Sequence, residues 1–159
     1  MLRIKKSDFK RCISGLSLNE KKFDFWQDNS LSYLEMAFRH DRRERLQNPD
    51  GYGKRTGECG DTVEMFLRLK CDCIQTVSFD TDGCINTSAF ANTVSHLYEG
   101  KTIQEAWEIT PDDVIEFLET LSKENYHCAE LAVSAFYLVL ASCREFQRNA
   151  WKKQYHRKP

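Results

Sequence analysis

The chain has 159 residues, a formal net charge of −1, 41% apolar residues and 30% charged ones. This is the composition of one globular domain with a real core, and the balanced charge removes any global argument for nucleic-acid or membrane-surface binding. Seven cysteines is an odd count without the spacing of a small secreted scaffold, which points to a reducing cytoplasm where cysteines bind metal or react.

Residues 1–29 read as an N-terminal extension. Phe9, Ile13, Leu16 and Leu18 are scattered between charges, and Phe23, Phe25 and Trp26 form an aromatic cluster, so a short helix or a loosely docked arm is expected. Cys12 has no partner at metal-ligand spacing and reads as a free thiol. Met1-Leu2-Arg3-Ile4-Lys5-Lys6 is not followed by the apolar region of a secretory signal. No apolar run approaches the ~20 residues of a membrane span.

Across residues 30–46, Leu31, Leu34, Ala37 and Phe38 recur at helical spacing, Leu46 extends the stripe, and Ser30 is the expected N-cap. The charged run from His40 to Arg45 reads as a solvated last turn, its cations complementing the helix dipole. Asn48-Pro49-Asp50-Gly51 then makes a turn.

Residues 52–58 are expected to supply a third strand beside a hairpin. In residues 62–70, Val63, Met65, Leu67 and Leu69 share one face. In residues 73–80, Ile74, Thr76, Ser78 and Asp80 are expected opposite Cys73, Gln75, Val77 and Phe79. Lys70-Cys71-Asp72 lies between the two runs, so they pair antiparallel. One face is mainly apolar and should be covered by helices. Cys71 and Cys73 fall at the hairpin tip, Cys73 eleven residues of chain from Cys84, too far along a strand rising about 3.3 Å per residue to share a site with it.

Residues 85–99 read as a helix with Ala89, Phe90, Val94 and Leu97 as core positions and Gly100 as its stop. Thr102-Ile103-Gln104-Glu105 is a capping box opening a short helix through Trp107. Thr110-Pro111-Asp112-Asp113 opens another helix, carrying Val114, Phe117, Leu118 and Leu121. A polar loop is expected over residues 122–126. The last helix begins near His127 and reaches about residue 150. It is apolar on nearly every side from Leu131 to Ala141, the pattern of a buried central helix. Cys143 reads as a structural thiol. From Arg144 to Lys158 there are six Lys or Arg against one Glu, read as a solvated helix end and tail rather than a nucleic-acid patch.

Three segments carry the chemistry. Gly57-Glu58-Cys59-Gly60-Asp61 opens the hairpin, Thr81-Asp82-Gly83-Cys84 closes it, and His127-Cys128 opens the last helix. An antiparallel hairpin returns to its own beginning, so Cys59, Asp61 and Cys84 are expected at one end of the sheet, where the last helix can lay Cys128. Three thiols and a carboxylate can complete a tetrahedral metal site or hold a small iron–sulfur unit. Cys84 and Cys128 each precede a helical stretch, whose N-terminal dipole is expected to lower a thiol's pKa. Gly60 and Gly83 allow close backbone approach, and His127 offers a further ligand or proton partner. Taken singly, each signal is weak, because a lone Cys is usually a small buried hydrophobe and a lone Asp after Gly a turn residue.

Together with Gly100-Lys101-Thr102 and His127-Cys128-Ala129-Glu130-Leu131-Ala132, these motifs resemble the IscU/NifU N-terminal family of iron–sulfur cluster assembly scaffolds, from about residue 30 to residue 141 and including Asn48-Pro49. The resemblance implies an α+β fold of the IscU/NifU (SufE/IscU) type, a small antiparallel sheet of about three strands with helices on one face. It divides the chain into an extension (1–29), a scaffold domain (30–143) and a basic helix end and tail (144–159). It implies Cys59, Cys84 and Cys128 as cluster thiolates, Asp61 as the acid that keeps the cluster labile, and His127 as an alternative ligand. A non-enzymatic scaffold would build a transient [2Fe–2S] cluster from iron and sulfur supplied by an IscS/NifS-like cysteine desulfurase. It would then pass the cluster to acceptor apoproteins. The proline-containing segment that often precedes His-Cys is replaced by Leu121-Ser122-Lys123-Glu124-Asn125-Tyr126, which counts against docking of the specialised Hsp70. Ile85-Asn86-Thr87 replaces the smaller residues usual after the second cysteine.

A carboxylate is a harder, weaker partner than a thiolate for a soft iron–sulfur unit, so Asp61 in a fourth position favours release. Zinc binds the same thiolates tightly and is expected to be able to occupy the site in isolated protein. Two other readings compete. A zinc-bound SufU-like sulfur acceptor, a sulfurtransferase, would carry an insertion between the second and third cysteines and lack the preceding His; this chain lacks the insertion and keeps His127. A structural zinc domain with a nucleic-acid-binding tail fits neither the acid in the site nor the charge balance.

Overall fold

In the computed structural model, residues 24–119 and 125–155 are described, with side chains through residue 144. Cys12, Phe23, Leu121, most of the expected 122–126 loop and the side chains of the basic tail lie outside the described residues. The frame is a meander of three antiparallel strands, β1 (Gly51–Thr56), β2 (Thr62–Lys70) and β3 (Cys73–Thr81), in the order β1-β2-β3. The expected third strand is therefore present and pairs along β2 from Gly51↔Leu67 to Thr56↔Thr62. Val63, Met65 and Leu67 are fully buried on one face, opposite Thr81, Phe79 and Val77 of β3.

The expected alternation of β3 fails at one point. A register shift between Arg68 and Leu69 pairs Leu69 with Ile74 and Arg68 with Thr76, leaving Gln75 as the extra residue. The bulge brings Ile74 onto the Val77 and Phe79 face, where it is 1% exposed. The hairpin tip turns through Cys71 and Asp72, both with positive φ. It lies at the end of the sheet opposite the Thr62–Thr81 end.

Helices cover the apolar face. α1 (Phe25–Asp28) and α2 (Leu31–Phe38) precede the sheet; α3 (Ile85–Tyr98), α4 (Ile103–Ala106), α5 (Pro111–Leu118) and α6 (Tyr126–Tyr155) follow it. α3 lies along β3, and α6 along β1 and β2. The approach of α6 requires glycine: a Cβ at Gly53 would stand 2.6 Å from the Ala135 carbonyl, and one at Gly51 2.2 Å from Cys143 Sγ. Phe90, Phe136, Val139 and Leu140 fill the space between, each fully buried side chain contributing about 1.5–3 kcal/mol. The stretch Tyr126–Arg144, 19 residues long, is apolar enough by length and composition to cross a membrane, contrary to the expectation that no run comes close. Leu131, Ala132, Ala135 and Phe136 on it are core residues.

The capping signals at Ser30, Thr102 and Thr110 all act as read, the latter two as complete capping boxes. α2 is shorter than expected. It ends at Phe38 because Asn92, buried on α3, donates to the carbonyls of Met36 and Arg39 at 2.9 and 3.0 Å. The following segment is not a solvated turn: Phe79 N–H donates to the Arg42 carbonyl at 2.9 Å, Arg43 to the Thr81 carbonyl at 2.6 Å, and Arg45 pairs with Glu64 and Asp80. Leu31, expected in the apolar stripe, is 85% exposed; Ala37 is buried as expected, and Tyr33 and Met36 complete the buried face with it. The aromatic cluster survives as Phe25 edge-on to Trp26 and Phe38, with Trp26 stacked on Phe38.

Candidate metal centre

Cys59 stands on the β1–β2 turn. Gly57 N–H donates to the Asp61 carbonyl at 2.9 Å and Gly60 N–H to the Gly57 carbonyl at 3.0 Å. Gly60 has φ +88°, a region that favours glycine. This tight turn leaves Cys59 exposed and half-buries Asp61. At the same end of the sheet, Thr62 N–H donates to Asp82 Oδ1 at 2.7 Å, tying the start of β2 to the loop after β3.

Cys84 is the N-cap residue of α3, but its own side chain makes no cap bond. Asp61, from the neighbouring loop, binds the N–H of the cap residue itself. Its Oδ2 accepts from Cys84 N–H at 3.1 Å and from Thr87 Oγ1 at 2.7 Å. A carboxylate at a helix N-terminus also meets the positive end of the dipole. The Thr87 hydroxyl, then the Cys84 N–H, hold the Asp61 carboxyl below its usual range against an opposing effect of burial, with His127 adding to the lowering. The arrangement requires Gly83, since a Cβ there would stand 2.7 Å from Asp61 Oδ2 and 2.9 Å from Thr87 Cβ.

Cys128 is on the first turn of α6 and 1% exposed. Its Sγ lies 3.3 Å from His127 Nε2. The expectation that the helix start lowers its pKa is overturned. Burial pushes the thiol up to about 11, eased by the Thr87 hydroxyl and raised further by the Cys84 and Cys59 thiols. Cys84 and Cys59 thus each act electrostatically on Cys128. Among the described residues, however, no three Cys, His, Asp or Glu side chains already stand at metal-holding separation. Asp61 Oδ2 is engaged by Thr87 and Cys84.

Four residues of this environment escaped the sequence reading of the site. Thr87 is fully buried, bonds Asp61 and lies 3.6 Å from Cys84 Sγ. Tyr33 donates its hydroxyl to Asn86 Oδ1, and Asn86 Nδ2 donates to Asn125 Oδ1 at 3.0 Å. That chain links α2 to the residues just after Cys84 and just before Cys128. Burial first, then the Cys84 and Cys128 thiols, push the Tyr33 phenol above its usual range. The available signal was the departure at Ile85-Asn86-Thr87, where a hydroxyl stands three residues beyond a helix N-cap.

The NifU-like N terminal domain family matches residues 44–150, a span containing Cys59, Asp61, Cys84, His127 and Cys128. The chain belongs to this family. Among curated relatives, the iron–sulfur cluster assembly scaffold protein IscU 1 of Archaeoglobus fulgidus is 33% identical over 108 residues, covering 65% of this chain and 71% of its own length. The IscU scaffold of Aquifex aeolicus is 27% identical over 118 residues, covering 70% and 75%. The N-terminal NifU-like protein of Brucella abortus superposes with a TM-score of 0.62 at 17% identity, covering 73% of this chain and 94% of that one. A candidate SUF-system scaffold from Fervidobacterium islandicum gives 0.60 at 19% identity, covering 70% and 95%. At those identities the superpositions establish the NifU-like fold, an α+β meander with helices on one face.

Proposed function

We propose that this NifU-like domain is a non-enzymatic scaffold that receives iron and desulfurase-derived sulfur, holds them as a transient [2Fe–2S] cluster and yields the cluster to acceptor apoproteins. The observation that supports this reading is the bonding of Asp61, on the turn that also carries Cys59, to the Cys84 N–H and to the buried Thr87 hydroxyl, which lies 3.6 Å from Cys84 Sγ, with the Cys84 and Cys59 thiols acting electrostatically on Cys128. The cluster is cargo here. Cys59, Cys84 and Cys128 are its proposed thiolate ligands, Asp61 the weak fourth, and His127 the alternative beside Cys128.

The donor set suits holding and letting go. Soft thiolates match iron–sulfur chemistry, while a carboxylate binds it less well. Asp61 also has somewhere else to go, because its hydrogen bonds to Thr87 and Cys84 are available whenever it leaves a metal. Cys59 and Cys84 are exposed, which admits a sulfur donor on one side of the exchange and an acceptor on the other. Relatives named as iron–sulfur cluster assembly scaffolds support the same reading. A cysteine desulfurase partner follows from it, and the free cysteines suit the reducing cytoplasm proposed as its setting.

A sulfur-acceptor role with bound zinc is the second reading, favoured by the exposure of Cys59 on its turn. His127 at 3.3 Å from Cys128 Sγ speaks for the scaffold, because it supplies a further ligand at the buried thiol. Anaerobic reconstitution with ferrous iron, cysteine, a desulfurase and an added thiol, which reduces persulfide sulfur to sulfide, separates the two. The scaffold develops visible sulfur-to-iron charge-transfer absorption; a zinc-bound acceptor stays colourless, and gains a persulfide when the added thiol is left out.

A further inference from the structure

Thr87 occupies a place that none of the proposed ligands explains. Its side chain is 0% exposed, on the first turn of α3. Its hydroxyl donates to Asp61 Oδ2 at 2.7 Å and lies 3.6 Å from Cys84 Sγ. A hydroxyl has one proton to donate, and here that proton is committed to the Asp61 carboxylate. Asp61 needs no such partner to remain on the helix N-terminus, since the Cys84 N–H already reaches the same oxygen at 3.1 Å. The second bond makes that position firmer than capping alone requires.

We propose that Thr87 is a positioning residue for the metal centre: its buried hydroxyl holds the Asp61 carboxylate on the start of α3 and so competes with a bound metal for it. The inference rests on the reading of Asp61 as the weak fourth ligand. The physical logic is that of a bond made in only one of two states. A hydrogen bond present in the metal-free protein and broken when Asp61 turns to the metal lowers metal affinity by the worth of that bond. Removing it raises affinity. A hydrogen bond that persists in both states leaves affinity unchanged when removed.

The test uses cobalt(II) as the metal probe and the full chain, with absorption in the thiolate charge-transfer and d–d regions reporting the ligand set. Thr87→Val keeps the shape and removes the hydroxyl; Thr87→Ala serves the same arm if the valine variant does not fold. Either variant is expected to bind cobalt(II) about tenfold more tightly than the natural chain, the scale of one hydrogen bond to a charged group. Its d–d bands should shift as the carboxylate joins the metal. Thr87→Ser keeps the hydroxyl and should restore both the affinity and the spectrum of the natural chain. In an Asp61→Ala background the gain should vanish, because no carboxylate remains to be released. Equal or weaker binding by the hydroxyl-free variant overturns the proposal, as does an equal gain with Asp61 absent. Those results leave the metal centre standing, since the thiolate bands would still be present. Absence of thiolate bands from the natural chain and all its variants would overturn the centre itself and this inference with it.

Discussion

Asp61 and Cys84 are joined across 23 residues of chain by a hydrogen bond of 3.1 Å from the Cys84 N–H to the Asp61 carboxylate. Two residues proposed to share a metal thus already share a helix start. On the proposed reading Asp61 makes two separable contributions, one to stability and one to cluster release.

The two contributions come apart by substitution. Asp61→Ala removes a cap and is expected to cost about 0.5–2 kcal/mol of stability. It should also retain a reconstituted cluster longer and transfer it more slowly, because it deletes the ligand that shuttles between metal and helix. Asp61→Asn keeps an oxygen for the Cys84 N–H and should recover most of the stability while still transferring slowly. Thermal unfolding of the metal-free protein and decay of visible absorption, with and without apo-ferredoxin, measure the two effects. Natural rates of decay and transfer in both variants would leave Asp61 as a cap alone.

Gly83→Ala tests the geometry without touching a proposed ligand. The new Cβ would lie 2.7 Å from Asp61 Oδ2 and 2.9 Å from Thr87 Cβ. Such crowding typically costs about 1–3 kcal/mol. It should also push the carboxylate off the helix, so that the Cys84 amide exchanges its hydrogen faster. An unchanged melting temperature and unchanged exchange would contradict the close approach described above.

The buried thiols set an alkaline limit. Burial pushes Cys128 and Cys143 from an ordinary value of 9.0 up to about 11. Unfolded thiols lose their protons near the ordinary value, while the folded ones keep theirs to higher pH. Between those values the unfolded chain binds fewer protons, so stability falls as pH rises. Below the ordinary value both states are protonated and this contribution is fully present. The melting temperature of the metal-free protein should therefore drop between about pH 9 and 11, and Cys143→Ala should shallow the drop. A flat profile through that range would show that the thiols are not held neutral by burial.

Much of this architecture was legible because its signals are local. The alternation of Val63, Met65 and Leu67, the cap residues Ser30, Thr102 and Thr110, and the turn glycines each act within a few residues. The hairpin then carries Cys59, Asp61 and Cys84 to one end by simple antiparallel geometry. What the residues hid was long-range. The bulge that turns Ile74 inward depends on the partner strand. The early end of α2 depends on Asn92, more than fifty residues later in the chain. Cys128 read as an activated thiol because its helix start is visible in sequence and its burial is not. Thr87 stood out only as part of Ile85-Asn86-Thr87, in place of smaller residues, and its bond to Asp61 is made across 26 residues of chain.

Zinc should bind the same donors. The protein isolated from cells is expected to contain zinc in a proportion that falls in each of Cys59→Ala, Cys84→Ala and Cys128→Ala, since each loses a soft ligand. Elemental analysis of the four proteins checks this. Zinc retained undiminished in all three variants would place it elsewhere on the chain.

The central claim is that three thiolates from three loops hold a cluster that can leave. The most direct measurement is anaerobic reconstitution of the natural chain and the three single-cysteine variants with iron and desulfurase-derived sulfur, followed by visible absorption before and after apo-ferredoxin is added. The natural chain should gain charge-transfer absorption and pass it to the acceptor. Cys59→Ala, Cys84→Ala and Cys128→Ala should each bind weakly or remain colourless. A natural chain that stays colourless, or three variants that assemble and transfer as well as it does, would contradict the account.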